Sequence, residues 1–498
     1  MDVIQNLVFG LGVAISLQNL AYCFLGVLVG TLIGVLPGIG PLATIAMLLP
    51  LTFNVPPVAA LIMLAGIYYG AQYGGSTTAI LVNLPGETSA VVTCIDGYQM
   101  ARQGRAGPAL AIAAIGSFFA GTVCTLLIAV AGPPLAEVAL KFGAPEYFSL
   151  MLMGLVAAAV LAQGDMVKSL VMVALGLLLG IVGNDVNTGV PRFTFGMNDL
   201  TDGIGFVVVA VGVFAVGEII ANLGDPEERQ VFTSKVENLF PTREDLKASW
   251  GPILRGTGLG AFFGVLPGTG PAVASLSSYM LEKKLAADPS RFGKGAIEGV
   301  AGPEAANNAD AQCKFIPMLT LGLPASGVMA LMLGALTIQG IQPGPEVMNQ
   351  RPELFWGLIA SMWIGNAMLV VLNLPLVGLW VRLLKVPYRF LFPAIMAFSA
   401  IGIYSVNNTG FDVYLAAGFG VVGFIWMKLG FNPAPLLLGF VLGPMLEEHL
   451  RRAMLMSRGD PTVFFTRPLS LAFMIATALI LVVMVLPAIR QRRVDIAG

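Results

Sequence analysis

The sequence predicts an all-α polytopic membrane protein built from two inverted repeats, with broken helices, re-entrant hairpins and roughly 10–12 transmembrane spans. Three observations carry this prediction. The chain has 498 residues, 56% hydrophobic and only 11% charged, where soluble domains carry about a quarter charged. Several apolar stretches approach or exceed bilayer length. One sixteen-residue phrase occurs twice.

A soluble chain this apolar could not cover its surface with polar groups. A membrane helix needs about 20 apolar residues, and 109–132, 147–163, 206–221, 354–381 and 469–486 are the candidate stretches. The opening "MDVIQNLVFG" lacks the basic region of a signal peptide and reads as a retained helix lying partly at the interface. The apolar pieces 42–53 and 80–84 are too short to cross alone and read as half-helices. Polar residues 222–250 divide the hydrophobic sequence almost in half and read as a solvated connector. The expected organisation is therefore a first repeat with an N-terminal helix (1–221), the connector (222–250), a second repeat (251–450), and a last loop, helix and basic tail (451–498). Orientation stays open. Arg490, Arg492 and Arg493 compete with Arg451, Arg452, Arg458 and Arg467 at the other end of the last helix.

The duplication is explicit. "GVLVGTLIGVLPGIGP" (26–41) and "GTGLGAFFGVLPGTGP" (256–271) match at nine of sixteen positions without a gap. Gly26, Gly30 and Gly34 correspond to Gly256, Gly260 and Gly264, a spacing that lets membrane helices approach closely. Fainter echoes keep the same order: "NLPGE" with "GLPAS", "APEYF" with "RPELF", and "NTG" at 187–189 with "NTG" at 408–410.

Each glycine ladder runs into a Pro-Gly break. A helix interrupted inside a membrane frees N–H and C=O groups that lipid cannot satisfy, so such breaks persist only against protein or water. Half-helix N-termini favour anions, and unwound carbonyls coordinate cations. Each half has a second break, in "YYGAQYGGSTTAILVNLPGE" (68–87) and "GPEAANNADAQCKFIPMLTLGLPAS" (302–326). Between the breaks lie Ser76, Thr77, Thr78 and Asn83, then Asn307, Asn308, Thr320 and Ser326. These neutral groups could hold carboxylates or a sodium ion, or could simply mediate helix packing. Asp310 and Lys314, four apart, share a helix face. A structural pair is favoured, with an anion-attracting Lys314 and a cation-assisting Asp310 as the alternative. Glu87, Asp96, Arg102 and Arg105 read as an exit to water, and His449, the only histidine, as interfacial.

An enzyme is not indicated. One histidine excludes HExxH and three-histidine metal sites, so no transition metal is expected. No GxSxG elbow or Walker A phrase occurs. The four cysteines have no zinc or disulfide spacing, and a net charge of −1 gives no reason to expect nucleic acid.

The duplicated "GVLPGxGP", with the two long phrases quoted above, resembles the large membrane subunit (TctA type) of tripartite tricarboxylate transporters over nearly the whole chain. The resemblance implies a multi-pass permease of the bacterial inner (cytoplasmic) membrane. It implies a small membrane subunit (TctB type), a periplasmic solute-binding protein (TctC type), a citrate-like di- or tricarboxylate, no cofactor, and a sodium or proton gradient as the driving force. An elevator motion follows by analogy with other inverted-repeat carriers, and a homo-oligomer is compatible with it. Carried onto this chain, the candidate substrate-binding residues are Ser76, Thr77, Thr78, Asn83, Pro85, Gly86, Asn307, Asn308, Pro324, Ala325 and Ser326. The candidate cation-binding residues are Gly38, Gly40, Pro41, Gly268, Thr269, Gly270, Pro271 and Asp310. Ile39 against Thr269 shows that the half-sites differ, and which half takes the ion stays open. The alternative is a channel-like or scaffold component, which continuous helices through Gly38 and Gly268 would favour.

Overall fold

The computed structural model describes residues 3–36, 40–83, 85–161, 165–185, 188–223, 239–383 and 388–485. Gly38, Asn187 of the first "NTG", most of the connector and the basic tail lie outside the described residues. The chain is an all-α polytopic membrane protein. Among the described residues the strands are one short antiparallel pair, Gly183–Asn184 with Pro191–Arg192. Among the described residues four helices are long and apolar enough to cross a bilayer: Leu17–Val35, Ala106–Ala139, Pro352–Asn373 and Gly410–Lys428. Several other apolar helices among the described residues are shorter, so length and hydropathy alone account for fewer crossings than the sequence suggests.

The glycine ladders explain the tightest packing. Leu17–Val35 lies along Pro57–Val82, and Arg243–Val265 lies along Glu298–Cys313; these are the two most extensive helix pairs. A Cβ at Gly26, Gly30 or Gly34 would sit 2.3, 2.4 or 2.3 Å from the carbonyl oxygen of Met63, Ile67 or Ala71. At Gly256, Gly260 and Gly264 it would sit 2.2, 2.2 and 2.7 Å from those of Gly302, Ala306 and Asp310. The contacted residues also recur at one offset, 239 positions (Met63 to Gly302, Ile67 to Ala306, Ala71 to Asp310). The same helix pair is therefore built twice, backbone against backbone, with glycine as the residue that permits it.

Both ladders end in the expected breaks. The first helix stops at Val35; Leu36 is extended (φ −89°, ψ 103°), and a new helix starts at Pro41. The second stops at Val265; Leu266 is extended (φ −82°, ψ 125°), Gly268 takes φ +81°, and a new helix starts at Pro271. Proline suits that first position because its missing N–H would be unpaired anyway. Gly268 has a further constraint, since a Cβ there would meet Ala158 Cα at 2.3 Å.

The second breaks also match. Pro57–Val82 ends on Asn83 in the left-handed conformation (φ 57°, ψ 28°), and Phe315–Leu321 ends on Gly322 (φ 68°, ψ 22°), again 239 positions on. Glycine and asparagine are the usual residues there. Asn83→Gly is accordingly expected to keep stability near wild type. Asn83→Val should cost about 1–2 kcal/mol through left-handed strain. Thermal unfolding in detergent checks both.

Some elements differ from the sequence reading. Residues 80–84 do not form a separate half-helix: 80–82 are the last turn of the 26-residue Pro57–Val82. Residues 42–53 continue from Pro41–Leu48 into a 3-10 turn, Leu49–Asn54. The stretch 354–381 is interrupted between Asn373 and Val377. The connector's last residues are helical from Arg243, because Thr242 and Asp245 form a capping box.

Candidate functional site

The breaks meet around one cavity of about 640 Å³. Its size falls within the range of small-molecule sites. Five helices begin on its wall: Pro41–Leu48, Val91–Arg102, Pro271–Leu285, Gly327–Ile338 and Ala434–Met456; Val91–Arg102 continues from a 3-10 turn, which leaves free N-termini at the other four. Their N-terminal N–H groups have no partner within the helix and carry partial positive charge. Among the described lining residues there is no lysine, arginine or histidine. The ionisable lining side chains, tyrosine apart, are two glutamates, Glu87 and Glu218. The site thus combines helix ends of partial positive charge with acids of its own.

The glutamates are placed by local structure. Glu218 lies just after a π-helical turn, Val211–Val216, of the kind frequent at functional sites. Its Oε1 accepts the Gly40 N–H at 3.4 Å, so it occupies the start of the helix Pro41–Leu48. Glu87 follows the second break and accepts hydrogen bonds from the Ser89 hydroxyl and from Asn307 Nδ2 at 3.3 Å. Gln72 also lines the cavity, with its Oε1 3.2 Å from the same Ser89 Oγ.

The expected site residues divide into two groups. Gly40, Pro41, Gly268, Thr269, Gly270, Pro271, Pro85, Gly86, Ala325 and Ser326 line this one cavity. The hydroxyl of Thr269 points back to the carbonyls of Phe263 and Leu266 at 2.5 and 2.8 Å, and so closes the preceding helix. Ser326 caps Gly327–Ile338 through the Met329 N–H at 3.3 Å. Ser76, Thr77, Thr78, Asn83, Asn307, Asn308, Pro324 and Asp310 are not on that wall. Asn307 reaches it indirectly through Glu87. Ser76 faces Glu304, and Asn308 donates to Ser117 Oγ at 2.7 Å. Thr78 bonds the Gly75 carbonyl at 2.9 Å. Asp310 and Lys314 form an ion pair with both side chains fully buried.

Sequence reasoning missed Glu218, Gln72 and Glu304, and it misplaced Glu87. Glu87 was expected at an exit to water but stands on the cavity wall. Asp96, expected there too, is fully buried and clamps a loop, accepting the N–H groups of Gly293, Gly295 and Ala296 at 2.9, 2.7 and 2.9 Å. The signal for Glu218 was present: a lone acid within "VFAVGEIIANL" is costly in a membrane segment unless it works there.

A family model described as the tripartite tricarboxylate transporter TctA family matches residues 20–438. The chain belongs to the TctA family. TctA proteins are components of a transport system whose other parts are of the TctB and TctC types. The chain is 61% identical over 493 residues to an uncharacterized 52.8 kDa protein of the TAR-I ttuC' 3' region of Agrobacterium vitis, covering 99% of this chain and 98% of that one. It is 58% identical over 234 residues to an uncharacterized protein of the TAR-II ttuC' 3' region of Agrobacterium vitis, covering 47% of this chain and 97% of that one. No solved structure matches. The cavity between the paired breaks is the candidate functional site of this chain.

Proposed function

We propose that this chain is the permease subunit of a binding-protein-dependent secondary transporter of the bacterial inner membrane. It imports citrate-like di- or tricarboxylates, driven by a sodium or proton gradient. The carrying observation is that both pairs of breaks line one cavity, edged by four helix N-termini. Those N-termini receive the substrate carboxylates.

Coupling follows from the two glutamates. An anionic substrate beside ionised Glu87 and Glu218 is repelled, so it enters with a proton or a cation that cancels their charge. The twice-built helix pair supports alternating access by two inverted repeats, and an elevator-type motion is the form proposed. The interruptions after Val35 and Val265 favour this reading over a channel-like or scaffold component.

The test is reconstitution of the chain with its small membrane subunit and the solute-binding protein in proteoliposomes. Labelled citrate should accumulate under an inward sodium or proton gradient and only with loaded binding protein present. Accumulation indifferent to both gradients would remove the coupling. Accumulation without the binding protein would remove the tripartite mechanism.

A further inference from the structure

We propose that Glu304 and the oxygen atoms around it form a sodium site behind the wall of the carboxylate cavity. The purpose of this site rests on the permease reading; its geometry does not.

Glu304 lies on Glu298–Cys313 and is 1% exposed. Its carboxylate accepts the hydroxyl of Ser76 at 2.5 Å and that of Thr93. Among the described residues no lysine, arginine or histidine forms an ion pair with it. Two neutral donors do not cancel a buried charge, which calls for a proton or a positive ion.

Beside Glu304 is a cavity of about 10 Å³, the space of one water-sized sphere. Its polar wall is Tyr73, Ser76, Thr77, Ser117, Asn373 and Glu304 itself. Asn373 is 5% exposed, and its Oδ1 has no hydrogen-bond partner. Asn308, fully buried, gives its Nδ2 to Ser117 and likewise leaves Oδ1 without one. A water in this cavity could meet the Asn373 side chain but would leave the charge on Glu304 unbalanced. One carboxylate among neutral oxygens balances a single positive charge. Calcium sites generally bring more carboxylates, and transition metals call for imidazole or thiolate. No group of three His, Cys, Asp or Glu suited to a metal occurs among the described residues.

The site's position links it to the substrate cavity. Ser76 sits one turn beyond Gln72, its Oγ 3.0 Å from the Gln72 carbonyl oxygen, and Gln72 lines the cavity. Thr93 belongs to Val91–Arg102, whose first residue also lines the cavity. An ion at Glu304 therefore ties two cavity-wall helices to Glu298–Cys313. Sodium occupancy and carboxylate affinity are then linked reciprocally.

Thermal unfolding of the purified full-length protein tests this, in sodium, potassium or choline chloride at fixed ionic strength. Sodium alone should raise Tm, saturably. Glu304→Gln should abolish the sodium shift while keeping a monodisperse protein with a wild-type Tm in potassium. Ser76→Ala and Asn373→Ala should each raise half-saturating sodium about tenfold, the loss of one ligand. An equal shift in potassium, no sodium shift in the wild type, or a wild-type sodium response in Glu304→Gln would overturn the site. If Glu304→Gln does not fold, unchanged half-saturation in both alanine variants overturns it instead. Labelled citrate binding separates the two readings. A sodium response lost in Glu304→Gln without any citrate binding keeps the site and ends the carboxylate reading. Citrate binding with no sodium effect ends the site and leaves a proton-coupled permease.

Discussion

Gly260→Leu is expected to abolish folded protein, whereas Gly258→Leu, on the same helix, is expected to leave it intact. A Cβ at Gly260 would lie 2.2 Å from the Ala306 carbonyl oxygen and 2.6 Å from Ala309 Cβ. The obstacle is mostly backbone, so no side-chain rotation relieves it. Arg243–Val265 must then move away from Glu298–Cys313, the helix that carries Glu304, Asn308 and Asp310. That places the cost in the exceptional class, above about 4–5 kcal/mol. At Gly258 a Cβ would meet nothing within 4 Å. The yield of monodisperse protein in detergent reads the difference. Yield for Gly260→Leu should fall to about a tenth or less of wild type, since losses of this size unfold a marginally stable protein. Equal yields for the two variants would mean that the ladder does not set the helix approach.

The ladder was legible in the sequence because its cause is local. A glycine at every fourth position states both the face and the closeness of the partner, and repetition removes chance. The breaks were legible for the same reason, since Pro and Gly act where they stand. The orientation of Pro57–Val82 was not. Every residue from 59 to 82 is buried, so no polar stripe marks one face. Ser76, Thr77 and Thr78 were visible as polar groups near a break, but nothing in periodicity tells that Ser76 faces Glu304 instead of the cavity. Asn83 misled because an amide beside a break suits a ligand and a left-handed helix end equally well; only φ decides. The acids were hardest. Glu87 and Glu218 are far apart in sequence, and only the fold brings them to one wall. A lone acid in an apolar run shows that something is there, not what it faces.

Glu218→Gln is expected to separate substrate binding from the driving gradient. In the structure the Glu218 carboxylate accepts the Gly40 N–H, the start of the helix Pro41–Leu48. A substrate carboxylate seeking that helix end meets a charge already there. At a separation of roughly 6 Å and an effective dielectric near 20, the repulsion is about 3 kcal/mol, or roughly a hundredfold in affinity. On the coupling proposed above, wild-type protein would overcome this only when a proton or cation neutralises Glu218, and that requirement would make the gradient do work. Glutamine keeps the shape and removes the charge. The variant should therefore bind labelled citrate about a hundredfold more tightly than wild type when no driving cation is supplied. In proteoliposomes it should exchange citrate across the membrane yet fail to concentrate it under the imposed gradient. Unchanged affinity would mean that substrate does not approach this helix end. Tighter binding with gradient-driven accumulation intact would place the coupling on Glu87 or Glu304, each of which is separable by the same pair of measurements.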